Sequence, residues 1–193
     1  MPPLAPSARL VRSWRAARAL TGERLRPRQS TLLVPVPEAE PAVAAWRGRS
    51  GAVGAPGLPL HLTLLHPFVP AAGIDGSVEA GVRAVVAGLA PIRFTLARLE
   101  RFPGVLYLAP EPAEPFVGLT GALHARWPAH RPYDGAFDRV VPHVTVAFGA
   151  EAQAPTERLE RLLPIEATVR SVWLMTEGWS GRWSSRARFP LGG

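Results

Sequence analysis

The chain of 193 residues contains neither cysteine nor lysine. Without cysteine there can be no disulfide, thiolate nucleophile, iron–sulfur cluster or cysteine zinc site, and the redox compartment stays undetermined. Stability must then come from packing, for which this length supplies one substantial core rather than several independent domains. No run of 18 apolar residues is present, which argues against a transmembrane helix. Several enzyme signatures are missing too: there is no Walker loop, no dinucleotide G-x-G-x-x-G, no H-E-x-x-H zinc helix and no G-x-S-x-G nucleophile elbow. Every cation is an arginine, and the net charge of +7 is unevenly spread. Residues 1–29 hold seven arginines against the single Glu23, a net +6, whereas the remaining fifteen arginines face fourteen acids, a net +1. A nearly neutral body does not by itself predict a long polyanion lying across it.

The first 29 residues read as a basic arm, disordered or loosely attached to a single folded unit spanning residues 30–193. Arg9, Arg12, Arg15 and Arg18 recur every third residue with Leu10, Trp14, Ala17 and Leu20 between them. That spacing also suits a short amphipathic helix on an acidic surface, or an arginine-rich organelle transit segment.

From Ser30 the texture changes. Thr31 to Val36 reads as a strand, and a short helix follows, with Glu38 and Glu40 at its start and Val43 and Trp46 one turn apart. Gly48 to Pro59 is a Gly/Pro-rich loop. Val78, Val82, Val85, Val86 and Leu89 recur at helical spacing, with Asp75 or Ser77 as cap and Pro91 as stop. Strands are predicted at Ile92–Leu99 and Val105–Leu108, joined by a turn containing Pro103 and Gly104. A helix from Glu114 carries Phe116, Leu119, Leu123 and Trp127 inward, and a polar stretch runs from His130 to Arg139. A helix over Pro155–Leu163 places Leu159, Leu162 and Leu163 inside; strands follow at Ile165–Met175 and Trp183–Phe189. Interleaved strands and helices with hairpins between them argue an α+β fold.

Two stretches stand out: His61-Leu62-Thr63-Leu64 and, 82 residues later, His143-Val144-Thr145-Val146. Both have strand composition and are bounded by Pro or Gly. With a period of two, the histidine and threonine of each copy share one face while the aliphatic residues face the other way. Facing each other, the two strands would surround one small anion with two imidazoles and two hydroxyls. One neutral imidazole can take a proton from an attacking oxygen while the other, protonated, gives one to a leaving oxygen, and threonine hydroxyls can donate to phosphate oxygens. For either stretch alone the plainer reading is a hydrogen-bonded structural histidine.

With their flanks, Pro59 to Phe68 and Val141 to Phe148, the two His-x-Thr strands resemble the motif strands of the two-histidine (2H) phosphoesterase superfamily, which includes the bacterial 2′-5′ RNA ligase-like proteins. The resemblance covers about residues 30–190. It implies a bilobed, pseudo-twofold fold of two mainly antiparallel sheets flanked by helices, with the active-site cleft between the lobes. It also implies a metal-independent, cofactor-free cyclic phosphodiesterase acting on 2′,3′-cyclic phosphate RNA ends or related nucleotides, with reversible 2′-5′ ligation. His61 and His143 would be catalytic, and Thr63 and Thr145 would bind substrate. A cytoplasmic monomer without a membrane span, whose partner is an RNA end or small nucleotide, is the expectation. His66, Tyr107 and Arg139 are further candidate contacts, with Phe102 able to stack on a base and Arg101 able to meet a second phosphate. On an unbroken strand His66 would face away from His61, so the two make no ready metal pair. His124 and His130 read as surface residues. Two alternatives remain: an RNA-end or nucleotide-binding module without turnover, and a non-nucleotide esterase on the same scaffold.

Overall fold

Eight strands and four helices account for most of the regular structure in the computed structural model, which describes residues 28–47, 55–137 and 139–192. In chain order these are β1 (Ser30–Pro35), α1 (Glu40–Arg47), β2 (His61–Leu65), α2 (Gly76–Val86), β3 (Ile92–Phe102), β4 (Val105–Glu111), α3 (Glu114–Arg126), β5 (Val144–Phe148), α4 (Glu157–Glu160), β6 (Ile165–Val169), β7 (Ser171–Glu177) and β8 (Trp183–Pro190). The strands form one antiparallel sheet in the order β6-β3-β4-β5-β2-β1-β7-β8. This α+β sheet is continuous, where two separate sheets were expected. The two motif strands lie side by side at its centre and share a single register pair, Leu62 opposite Val144. One flank, β3 to β6, comes from the middle of the chain; the other, β1, β2, β7 and β8, comes from its two ends.

One face of the sheet carries the core. Leu62, Leu64, Val144 and Val146 are fully buried there with Val43 of α1, Val82 and Val86 of α2, and Phe116, Leu119 and Leu123 of α3. Burying such side chains at about 1.5–3 kcal/mol each makes this layer the main stabilising term. The helix ends follow local chemistry. Asp75 caps α2 by accepting from the amides of Ser77 and Val78. That helix ends at Val86, one turn before the Leu89 of the sequence reading, because Gly88 turns left-handed at φ 75° and leaves Leu89 exposed. A Pro-Gly turn with Gly104 at φ 77° joins β3 to β4, so β3 continues to Phe102 instead of stopping at Leu99.

Two further expectations are corrected. The helix read over Pro155–Leu163 is a single turn, α4, which buries Leu159 but leaves Leu162 51 % exposed. The long strand read over Ile165–Met175 is two strands broken at Arg170: β6 pairs with β3 on one flank, and β7 pairs with β1 and β8 on the other. The segment is therefore the crossing between the two flanks of the sheet. The expected basic arm lies outside the described residues up to position 27. At its boundary the Arg28 guanidinium stacks 4.4 Å over the ring of Trp179, and the Arg28 carbonyl accepts from the Ala71 amide at 2.9 Å.

Candidate active site

Leu62 opposite Val144 fixes what surrounds it. Both point into the helix-covered core, so their neighbours His61, Thr63, His143 and Thr145 take the helix-free face. Antiparallel register extended by one residue sets Thr63 across from His143 and His61 across from Thr145. The two histidines then stand on the diagonal, with Cα atoms about 7–8 Å apart. Contacts made by other residues agree: Tyr133 lies beside Thr63 and stacks on the His143 ring at 6.4 Å with 22° between the planes.

Each imidazole is held in the same way. Nδ1 of His61 lies 2.8 Å from the carbonyl oxygen of Pro59, and Nδ1 of His143 lies 2.8 Å from that of Val141. A carbonyl accepts only, so Nδ1 must carry the proton, and the neutral ring then has its lone pair on Nε2. The repeated bond to the residue two places earlier orients both Nε2 atoms away from the backbone. His143 is half-buried, and its pKa is lowered by desolvation despite the bond to the Val141 carbonyl, so its neutral form is favoured near pH 7.

The ground around the two histidines differs. His143 meets Phe102 and Tyr107 edge-on, each ring 5.4 Å away, and those two rings stack on each other at 4.2 Å. The Tyr107 hydroxyl donates to Glu100 Oε2 at 2.7 Å, and Arg98 pairs with both Glu100 and Glu111. Burial, with the Glu100 carboxylate beside it, pushes the Tyr107 hydroxyl pKa well up. On the other flank Leu33, Met175 and Trp183 form a small apolar cluster with Leu58 and Trp173. Gly57 permits this packing, because a Cβ there would meet the Trp183 carbonyl oxygen at 2.1 Å.

The remaining sequence candidates divide. His66 is only 9 % exposed and lies beside His61, close enough for a charge there to lower its pKa. Burial is the larger cause, and together they bring His66 down to about 4 against the pull of its bond to the Ser30 backbone. β2 ends at Leu65, so the alternation of an unbroken strand does not govern His66. Tyr107 and Phe102 back the His143 ring, and Tyr107 is buried with its hydroxyl engaged. Arg139 is exposed next to the undescribed Asp138, and Arg101, paired with the core-facing Leu106, shares the opposite face. His124 and His130 are half-buried, not superficial: Nδ1 of His124 lies 3.2 Å from the His130 carbonyl, and the His130 ring packs against Phe68. Among the described residues no three His, Asp or Glu side chains stand close enough to hold a metal ion.

Tyr133 was not singled out by sequence reasoning. Its signal, Pro132-Tyr133-Asp134-Gly135, is a turn signature hidden inside a polar stretch. The backbone there is left-handed at three successive residues, Tyr133 (φ 53°), Asp134 (φ 55°) and Gly135 (φ 74°). The Tyr133 amide donates to the His66 carbonyl at 2.6 Å. Burial pushes its hydroxyl pKa up to about 12 against the opposing pull of Thr63, so it stays neutral.

An antiparallel sheet with two His-x-Thr strands paired at its centre is the arrangement expected of two-histidine phosphoesterases. The family model of the 2′-5′ RNA ligase superfamily matches residues 35–178, and the chain belongs to that family, within the 2H phosphoesterase superfamily. Among solved structures, a protein of Thermus thermophilus, TT0787, is similar with a TM-score of 0.59 and 24% identity, covering 86% of this chain and 98% of its own. Escherichia coli LigT complexed with 3′-AMP gives a TM-score of 0.57 at 17% identity, covering 87% of this chain and 100% of its own. LigT has also been crystallised with NADP+, ATP and phosphate. A protein described as a phosphoesterase matches with a TM-score of 0.56 and 18% identity over 86% of this chain and 100% of its own. No curated protein sequence matches the chain.

Proposed function

We propose that the protein is a metal-independent phosphoesterase that opens 2′,3′-cyclic phosphates on RNA ends or small nucleotides, with His61 and His143 as its acid–base pair. The observation that carries this reading is the central pairing of Leu62 with Val144, which puts both His-x-Thr sets on one helix-free face with both Nδ1 atoms tied to backbone carbonyls. The two halves of the sheet flanking that pair would form the walls of the cleft.

His143, whose neutral form burial favours, is suited to be the proton acceptor. A water oxygen attacks phosphorus and its proton passes to Nε2 of His143. The bond from phosphorus to O3′ breaks, and O3′ takes a proton from Nε2 of a protonated His61. The product is a 2′-phosphate with a free 3′-hydroxyl. Hydroxyls of Thr63 and Thr145 donate to the non-bridging oxygens, where negative charge grows in the transition state. A 5′-hydroxyl in place of water would give a 2′-5′ bond by the same steps, so ligation and its reversal need no additional group.

The small substrate needs no partner chain, and we propose a cytoplasmic monomer; among the described residues no helix is long and apolar enough to cross a membrane. The test is turnover of 2′,3′-cyclic nucleotides and of RNA with a cyclic end, with a chelator present throughout. Product with a 2′-phosphate supports the reading. Absence of turnover on either substrate, while the folded protein still binds a nucleotide, would favour a binding module.

A further inference from the structure

Two tryptophans of the β7–β8 hairpin each carry an arginine. The Arg188 guanidinium of β8 stands 3.9 Å over the ring of Trp173 in β7, and that of Arg28 stands 4.4 Å over the ring of Trp179 at the hairpin tip. Both pairs are pinned. Nε1 of Trp173 donates to Ser171 Oγ at 2.9 Å, which fixes the ring plane, and Trp173 lies opposite Arg188 in the strand register. At the tip the Arg28 carbonyl accepts from the Ala71 amide, and the Gln29 carbonyl accepts from the Glu177 amide at 2.9 Å. An arginine laid on an aromatic face keeps its planar N–H edge available for a phosphate. Among the described residues no carboxylate pairs with Arg28, Arg182 or Arg188. Trp179 is itself 83 % exposed, so its ring is open to a second occupant.

The two pairs lead away from the site. Thr63, Leu33, Trp173 and Arg188 stand in one register row across β2, β1, β7 and β8. At the usual strand spacing Trp173 is about 10 Å from Thr63, and Glu177, four residues along β7, reaches the hairpin tip about 13 Å further on. The ground between is the apolar cluster of Leu33, Leu58 and Trp183. Beyond the tip the sequence adds more positive charge, since residues 1–27 hold six arginines against Glu23. Cations set along a line with an open aromatic face among them suit a single-stranded polynucleotide, whose phosphates meet the guanidiniums while a base stacks on the indole. We infer that the β7–β8 hairpin is the track for the RNA chain leading to the reacting end, with Arg188 and Arg28 on phosphates and the open face of Trp179 on a base. The inference rests on the proposed phosphate site and makes a single-stranded RNA end, rather than a free cyclic nucleotide, the better substrate. The Tyr107 flank offers no such line, because Arg98 there is tied to Glu100 and Glu111.

The experiment compares the full-length wild type with Arg188→Gln, Trp179→Ala and, from the other flank, Arg98→Gln. Affinity for a single-stranded RNA about eight nucleotides long, within the span that one such surface covers, is measured at several salt concentrations. Turnover of a 2′,3′-cyclic mononucleotide is measured beside it. Trp179→Ala should weaken RNA binding by at least about fivefold, the effect of losing one stacked base. Arg188→Gln should flatten the slope of log affinity against log salt by about 0.7, the share of one phosphate contact on a single strand. Turnover of the mononucleotide should stay within about twofold in both variants, and Arg98→Gln should bind RNA as the wild type does. Unchanged affinity in Trp179→Ala, an unchanged salt slope in Arg188→Gln, or an equal loss in Arg98→Gln would overturn the inference. So would binding to vesicles of anionic phospholipid that Trp179→Ala abolishes while RNA affinity stays intact. A wild type that binds the RNA with these dependences but turns over no cyclic phosphate sinks only the proposed reaction. One that turns over the mononucleotide and binds the RNA no more tightly sinks only the track.

Discussion

The two flanks of the sheet repeat one device in different ground. Each central strand has at its start a histidine bonded through Nδ1 to a carbonyl two residues earlier, and a threonine two residues on. Moving outward, the register from Thr63 runs to Leu33 and Trp173, whereas the register from Thr145 runs to Tyr107 and Glu100. The first row is apolar, with Arg188 stacked 3.9 Å over Trp173; the second is a polar chain ending in the pairs of Arg98 with Glu100 and Glu111. The lesson is that backbone geometry, not shared surroundings, is what the two histidines have in common. Unequal surroundings are an asset in acid–base chemistry, because a pair that must hold one proton between them works best when its members are not electrostatic twins.

The sharpest way to break the comparison is at its seam. Leu62→Ala removes a fully buried side chain at the single register pair joining the flanks, and should cost about 2–5 kcal/mol in urea unfolding. Leu33→Ala, in the small outer cluster, should cost less because that cluster has fewer buried members to leave a cavity among. Equal losses would mean that the seam is no more critical than its flank.

Acid should act through the apolar flank. His66 is neutral when folded, with a pKa near 4 against about 6.5 unfolded, so its contribution is intact above pH 6.5 and is lost as pH falls from 6.5 toward 4. The full loss is about 3 kcal/mol. Unfolding free energies of wild type and His66→Asn at pH 7, 5 and 4 should diverge in slope by about that amount. Parallel slopes would place His66 in a less desolvated setting.

On the polar flank, Tyr107→Phe should cost about 1 kcal/mol, since it deletes a neutral donor while Arg98 still satisfies Glu100. The His143 ring contact survives in the variant, so turnover should change by less than about threefold. The smallest effect expected is on folding in a chain that starts at Arg28. It retains the carbonyls of Arg28 and Gln29 that accept from Ala71 and Glu177, and should keep its stability and its turnover of a small cyclic nucleotide. It should lose the salt-sensitive part of its affinity for longer RNA, because arginine–phosphate contacts carry that dependence. Identical salt slopes for the two chains would remove the arm from substrate capture.

What was legible in the sequence was what alternation and helical spacing encode locally. Leu62 and Leu64 against His61 and Thr63 announce a one-sided strand, and Asp75 announces the start of α2. The break of one apolar run at Arg170 was not legible, because nothing in Ile165–Met175 distinguishes a long strand from two short ones destined for different neighbours. The joining of two sheets into one depends on the single register pair of β2 with β5 and has no local signature. Of the site, the two His-x-Thr sets could be read from the residues. Tyr133 could not, because its place in the site comes from a left-handed turn that brings it onto residues ten positions later and seventy earlier.

The central claim is that His61 and His143 act together on one phosphate. Turnover of a 2′,3′-cyclic nucleotide by His61→Ala, His143→Ala and the double variant, with a chelator present, tests it most directly. Each single substitution should lower kcat by roughly 10²- to 10⁴-fold, and the double variant should be little worse than the weaker single, as happens for groups that function as a unit. Undiminished turnover in either single variant, or losses that multiply in the double, would contradict the account.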